Sequence, residues 1–267
     1  MKLRFFKYHG NGNDFILIDN RKGSIKGLEK NTIEKLCHRR FGIGADGLIL
    51  FNKSRGYDFE MEYYNSDGRE STMCGNGGRC MVQFAKDLGV IKNKAHFLAI
   101  DGEHEGVISK QGVVSIKMRD VEAFEQSDAD YIVNTGSPHY VKFVRNVKSV
   151  DVFTEGKKIR NQRKFKKEGI NVNFAEPGSD LLKVRTYERG VEDETYSCGT
   201  GVVASAIISS VRTKSKEGNQ QVALWTPGGL FEVSFNKGQK GFSNIWLKGG
   251  VEFVFEGAVD LKKFRGK

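Results

Sequence analysis

Apolar and polar residues alternate in short runs along most of the chain, a period-two pattern that predicts strands with one buried face. In the first half such runs fall at residues 3–8 and 15–19, around a glycine turn, and then at 47–51, 57–64, 95–100, 105–109 and 113–118. In the second half they fall at 131–134, 141–144, 172–175, 181–187, 221–226, 230–235, 243–248 and 251–257. Helical spacing is rarer. Residues 31–39 bring Thr32, Ile33, Leu36 and Cys37 onto neighbouring turns, and residues 151–159 predict a second helix. Two more predicted helices are of another kind. Residues 77–88, closed by Gly89, are mainly apolar, and residues 201–211 carry no charge before Arg212. A helix that is apolar all round is buried. The pattern therefore predicts an α/β protein, in stricter terms α+β, in which each half wraps a sheet around a central helix.

The two buried helices open on related sequences. Met73-Cys74-Gly75-Asn76-Gly77-Gly78 and Ser197-Cys198-Gly199-Thr200-Gly201-Val202 both read Cys-Gly-polar-Gly, and the two cysteines lie 124 residues apart. Gly12 and Gly136 open looser counterparts at the same offset. The order strand, turn, strand, Cys-Gly motif, helix, strand, turn, strand recurs in both halves. A period this long exceeds that of a solenoid and fits two homologous domains. Their expected bounds are 1–119 and 120–256, with the junction in the polar, acidic stretch 120–130 and the tail 257–267 returning to the first domain. A cysteine at a helix N-terminus meets backbone N–H groups and the positive end of the helix dipole, which favour its thiolate. Two such cysteines predict symmetric work, one thiolate taking a proton while one thiol returns it. That is the chemistry of a two-base racemase or epimerase, with the site expected in the cleft between the domains.

Bulk properties narrow the partners. The 267 residues are 38% hydrophobic and 28% charged, enough for two cores in an ordinary soluble chain. There is no apolar run of about 18 residues, so no membrane span is expected. The basic start lacks an apolar core and a cleavage site, and it reads as a first strand rather than a signal peptide. The net charge is +10, but the cations are scattered. The densest run, 157–167, reads as a solvated helix or loop, and no nucleic-acid module accompanies it. The excess charge would instead draw in an anionic metabolite. Four cysteines, Cys37, Cys74, Cys80 and Cys198, are too few for a disulfide scaffold and are expected reduced in a cytoplasm. They form no C-x-x-C pair, which argues against zinc.

Taken in order, a series of motifs identifies the chain as resembling the diaminopimelate epimerase family over essentially its whole length. They are Lys7-Tyr8-His9-Gly10-Asn11-Gly12-Asn13-Asp14-Phe15, Arg40-Phe41-Gly42-Ile43-Gly44-Ala45-Asp46-Gly47, Asn65-Ser66-Asp67-Gly68 and Met73-Cys74-Gly75-Asn76-Gly77-Gly78-Arg79-Cys80. They continue as Asn134-Thr135-Gly136-Ser137-Pro138-His139, Gly169-Ile170-Asn171-Val172-Asn173-Phe174, Tyr187-Glu188-Arg189-Gly190, Cys198-Gly199-Thr200-Gly201 and Pro227-Gly228-Gly229. The resemblance implies two similar domains, each a barrel-like, mostly antiparallel sheet around a central helix. It also implies a homodimer and interconversion of LL- and meso-diaminopimelate without pyridoxal phosphate, another cofactor or a metal.

On that basis Cys74 and Cys198 are the expected bases, on opposite faces of one carbon. The N–H groups of Gly75, Asn76, Gly199 and Thr200 would face the carboxylate at the reacting end. By resemblance, Asn13, Asn65, Asn171 and Arg189 hold the far end, Arg189 as a fork for carboxylate. Glu188 is the expected ammonium partner, and His139 orders the cleft or bonds near a cysteine. Cys37 and Cys80 are expected to pack as small apolar residues. A proline racemase or hydroxyproline epimerase shares the paired-cysteine plan, but those relatives favour His where this chain has Asn76. A phenazine-type isomerase lacks the pair. A basic nucleic-acid module would leave both Cys-Gly motifs without a role.

Overall fold

The computed structural model describes residues 2–264. Residue 1 of the expected first domain and positions 265–267 of the expected returning tail lie outside the described residues. Strands β1 (Lys2–Gly10) and β2 (Asn13–Asp19) form a hairpin. Its turn residues, Asn11 and Gly12, have φ of 51° and 83°. Two positive φ values make the turn that matches strand twist, and Asn-Gly adopts it at little cost. Helix α1 (Lys30–Cys37) then carries the chain across to β3 (Gly47–Asn52), parallel to β2. Next come β4 (Phe59–Asn65), the short β5 (Glu70–Ser71) beside it, and α2 (Gly75–Asp87). Strand β6 (Lys94–Ala99) returns parallel to β4, and β7 (Gly102–Ile108) and β8 (Val114–Lys117) follow as antiparallel neighbours.

The second half repeats this course. Strands β9 (Phe124–Ser127), β10 (Asp130–Asn134) and β11 (Pro138–Phe143) lead to α3 (Val152–Arg160) and to β12 (Asn171–Glu176), parallel to β11. Then follow β13 (Leu182–Glu188), the short β14 (Asp193–Thr195) and α4 (Gly199–Arg212). Strand β15 (Gly218–Thr226) lies parallel to β13, and β16 (Gly229–Gly238) and β17 (Gly241–Gly249) complete the meander. The last strand, β18 (Glu252–Asp260), pairs with β1 as β9 pairs with β10. Every pairing of one half, including both parallel ones, recurs in the other. Two homologous α+β domains are therefore present. One compact unit holds the described residues up to Ile116 and those from Val251 on; Lys117–Gly250 form the other.

Each sheet curves around its inner helix. Helix α2 touches β1, β2, β4, β6 and β7, and α4 touches β10–β13 and β15–β17. Val202, Val203, Ala204, Ala206, Ile207 and Ile208 are fully buried. The outer helix of each unit covers the opposite face of the parallel pair. Ile33, Leu36 and Cys37 of α1 pack on Ile16, Ile18, Leu48 and Leu50, while Val152 and Ile159 of α3 pack on Val172 and Phe174. Strands β2, β3 and β12 are thus covered on both faces, which explains their nearly continuous apolar runs.

Some expectations shift. Both inner helices start earlier than 77 and 201, because the cysteines themselves are the capping residues. Helix α1 stops at Cys37, where His38 Nδ1 accepts from the N–H groups of Arg40 and Phe41 and turns the chain. The stretch 120–130, expected as a polar junction, contains β9, whose Phe124 ring meets Tyr131 at 6.2 Å. Among the described residues no helix is long and apolar enough to cross a membrane. Replacing Ile207 by Ala empties the centre of the second core. The expected loss is about 2–5 kcal/mol of unfolding free energy, measured by urea denaturation.

Candidate active site

Cys74 and Cys198 occupy the same place in their units. Each is the N-cap of the inner helix in extended backbone, with φ, ψ of −90°, 131° and −118°, 110°. Their carbonyls accept the first helical bonds, from Gly78 N at 2.7 Å and Val202 N at 2.9 Å. The N–H groups of the first turn find no acceptor within their own helix, so the positive end of the dipole lies beside each sulfur. A buried helix end of this kind attracts a thiolate or a carboxylate. The third helical residue is glycine in both cases because a strand runs close by. A Cβ at Gly77 would press on Ile49, and one at Gly201 would overlap the Asn173 amide.

In the first unit, the half-buried Cys74 Sγ lies 3.8 Å from Asn13 Oδ1. That oxygen also accepts from Asn76 Nδ2 at 3.3 Å, while Asn13 Nδ2 donates to Asp46 Oδ2 at 2.7 Å. Arg79, fully buried one turn into α2, donates to Asn76 Oδ1 at 2.9 Å, Asn11 Oδ1 at 2.8 Å and the Gly75 carbonyl at 3.1 Å. Burial lowers its pKa from 12.5 to about 10, which leaves it cationic at neutral pH. Asp14 binds Lys7 and Arg39, each at 2.7 Å, and Arg39 reaches Asp46 at 2.6 Å. Burial would raise the Asp14 carboxyl, but Arg39 and Lys7 outweigh it and hold it at about 2. Asn65 stands apart from this cluster at the end of β4, accepting from Tyr63 OH at 2.7 Å.

In the second unit, the buried Cys198 Sγ lies 3.5 Å from Thr200 Oγ1, and His139 Nε2 lies 2.9 Å from the same hydroxyl. Asn173 Nδ2 approaches His139 Nδ1 at 3.1 Å. Burial, with Arg189 adding to it, pushes the imidazole down from 6.5 to about 3, so it is neutral at physiological pH. Asn171 and Arg189 form a second group. Asn171 Oδ1 accepts from Arg189 N at 2.8 Å, and Ser137 Oγ accepts from both Asn171 Nδ2 at 3.0 Å and Arg189 Nη2 at 3.2 Å. Arg189 Nη1 also donates to the Glu168 carbonyl at 2.9 Å. Glu188 accepts from Thr195 Oγ1 at 2.9 Å.

The structure thus joins Cys74, Gly75, Asn76 and Asn13 in one cluster, and Cys198, Gly199, Thr200 and His139 in another. The other two thiols are buried. Burial pushes Cys37 up to about 12 and raises Cys80 further. Three contributors were not singled out in the sequence: Arg79, Asp46 and Asn173. All three fall inside quoted motifs, so the signal was present. A cation one helical turn after a buried helix start must have polar partners.

Comparison with known proteins agrees with this architecture. The sequence matches the diaminopimelate epimerase family over residues 5–123 and 131–254. A protein named diaminopimelate epimerase from Flavobacterium psychrophilum is 49% identical over 258 residues, covering 96% of this chain and all of that one. Another of that name, from Chlorobaculum tepidum, is 41% identical over 94% of this chain and 99% of its own. Among solved structures, a phenazine biosynthesis protein of the PhzF family from Bacillus anthracis superposes with a TM-score of 0.75. The match covers 97% of this chain and 99% of that one at 14% identity, a likeness of fold.

The depressed His139 pKa has a signed consequence. The unfolded chain takes up the proton near pH 6.5, whereas the folded protein takes it up only near 3. Stability from this group is therefore complete above pH 6.5 and is lost as pH falls toward 3, by up to about 1.4 kcal/mol per pH unit. Thermal unfolding between pH 7.5 and 4.5 should show a shallower slope in His139→Gln than in the wild type. Equal slopes would mean that the imidazole takes up its proton as readily in the folded protein as in the unfolded chain.

Proposed function

The chain belongs to the diaminopimelate epimerase family, and we propose that it interconverts LL- and meso-2,6-diaminopimelate by proton transfer between Cys74 and Cys198. The product serves lysine and peptidoglycan precursor biosynthesis. One observation carries the assignment of the bases: both cysteines cap the N-terminus of a buried helix at equivalent points of a duplicated fold. In one direction a thiolate removes the α-proton, and the C–H electron pair passes to carbon and is drawn toward the carboxylate. The opposing thiol then delivers its proton to the other face. The sulfurs exchange protonation states and the stereocentre inverts, with no change of oxidation state and no call for a cofactor.

The removed proton is weakly acidic, so stabilising the developing charge is the larger task. First-turn N–H groups at Gly75, Asn76, Gly199 and Thr200 suit it, since helix dipoles are fixed before the reaction starts. Asn13, Asn65, Asn171 and Arg189 are assigned to the far end of the substrate, and Glu188 to an ammonium group. A proline racemase or hydroxyproline epimerase would use the same cysteine plan. Asn76 and the Tyr187-Glu188-Arg189-Gly190 sequence favour the longer diamino dicarboxylate.

The reading extends to a cytoplasmic homodimer. All four cysteines are free thiols, as a reducing compartment requires. Strand β18 exposes Phe253, Val254 and Phe255, each with more than two fifths of its surface accessible, an apolar run that a second copy would cover.

Two tests follow. Wild-type protein incubated with LL-diaminopimelate in D₂O, under reducing conditions and without added cofactor, should place deuterium at one α-carbon and yield the meso isomer. Cys74→Ser and Cys198→Ser should each lose at least about 10²-fold in turnover with circular dichroism unchanged; full activity in either would refute the two-base assignment. For assembly, Phe253→Glu with Phe255→Glu should convert a dimer to a monomer in sedimentation velocity.

A further inference from the structure

Thr200 Oγ1 and Cys198 Sγ are 3.5 Å apart, and distance alone allows either to donate. The direction is decided further back in the network. Asn173 is fully buried, with its side-chain nitrogen 3.0 Å from the Tyr140 backbone carbonyl. A carbonyl only accepts, so the atom facing it is the NH₂ end of the amide. The oxygen end accepts from Thr186 Oγ1 at 3.0 Å. The same nitrogen lies 3.1 Å from His139 Nδ1 and directs its second hydrogen there. Nδ1 therefore presents a lone pair, and a neutral imidazole then carries its proton on Nε2. Nε2–H donates to Thr200 Oγ1 across 2.9 Å. Having accepted that bond, the hydroxyl turns its own hydrogen toward the neighbouring sulfur.

We propose that Asn173 is a positioning residue that, through the tautomer of His139, makes the Thr200 hydroxyl a donor to Cys198 Sγ and so favours that sulfur as thiolate. The proposal rests on Cys198 being one of the two bases. A hydrogen bond donated to the charged form lowers a pKa. The arrangement belongs to the second unit alone. Strand register makes Phe15 the counterpart of His139 and Ile49 that of Asn173, both buried and apolar. Cys74 Sγ instead faces Asn13 Oδ1, an oxygen held as an acceptor because Asn13 Nδ2 is committed to Asp46. Asn173 also has a steric signature, since only glycine at position 201 leaves room for its amide against α4.

Other groups able to carry charge in the strands around α4 include Glu188 and Arg189 at the end of β13, and Lys237 on β16. Glu188 is bonded to Thr195, Arg189 to Ser137 and the Glu168 carbonyl, and Lys237 to Ser210 and Ser215 at the far end of the helix. None of them changes in the variants below, so a shift reports the relay.

The test is the pH dependence of iodoacetamide alkylation of Cys198 in the reduced full-length protein. Peptide mass spectrometry reads it, with Cys74 as internal reference. Thr200→Val should move the Cys198 midpoint up by about one pH unit, a tenfold slower reaction at fixed pH. Thr200→Ser, which keeps the hydroxyl, should leave it in place, and Asn173→Ala should raise it. In wild-type protein with ¹⁵N-labelled histidine, NMR should show His139 protonated on Nε2. A Cys198 midpoint unmoved by Thr200→Val, or a His139 protonated on Nδ1, overturns the proposal whether or not the Asn173 variant folds. Turnover in Cys198→Ser reads the base assignment separately, and wild-type exchange there would remove both.

Discussion

A helix that begins inside a protein brings N–H groups that its own backbone cannot satisfy, and most of this structure follows from doing that twice. At a surface, water would complete them. Here α2 and α4 are enclosed by their sheets, so the positive end of each needs a partner of negative character. Cysteine at the cap is a moderate answer, since it is neutral as a thiol and becomes anionic when the surroundings favour it. Asp or Ser would cap the helix better, but neither would exchange a carbon-bound proton as a thiolate does. The caps give up helix stability for a titratable sulfur. Burial of the rest of the helix supplies the stability, as the fully enclosed Val202–Ile208 face shows.

The enclosing sheet explains the second glycine of each motif. A strand must pass close to the first turn to shut out water, and a side chain at the third helical position would block it. In one unit the passing residue is Ile49, in the other Asn173. The repeated Cys-Gly-polar-Gly sequence is therefore a packing requirement as much as a chemical signature. This is why a short motif carried so much information about both fold and site.

Much of the architecture was legible for that reason. Alternation marked the long strands, and an uncharged run marked α4. Two kinds of feature were not legible. Short strands such as β5, β9 and β14 lack the length for periodicity to stand out, and they form because a longer neighbour offers free edge groups. Buried polar networks depend on register between segments distant in sequence. Asn173 meets His139 only because β11 and β12 run parallel with His139 opposite Asn171. Asp46 meets Asn13 through the equivalent pairing of β2 and β3, with Phe15 opposite Gly47. Nothing in a single sequence fixes those registers, so inside their motifs Asp46, Arg79 and Asn173 read only as polar residues without assigned partners.

Duplication supplied two equal frames, and the side chains then made them unequal. In the proposed two-base reaction the two sulfurs must differ at the start of a turnover, one with a proton and one without. Matched surroundings would leave that choice to chance, and the pair would often begin with both thiols or both thiolates. The first unit surrounds its cysteine with charge: Arg79, Asp14, Asp46, Lys7 and Arg39 all lie within one hydrogen-bonded group. Yet Arg79 donates to Asn11, Asn76 and Gly75, and what faces the sulfur at the end of that chain is the acceptor oxygen of Asn13. In the second unit the path traced to the cysteine runs through the uncharged side chains of Asn173, His139 and Thr200, ending in a hydroxyl hydrogen. One frame thus ends on an acceptor and the other on a donor, a difference in polarity built from side chains that the shared backbone does not dictate.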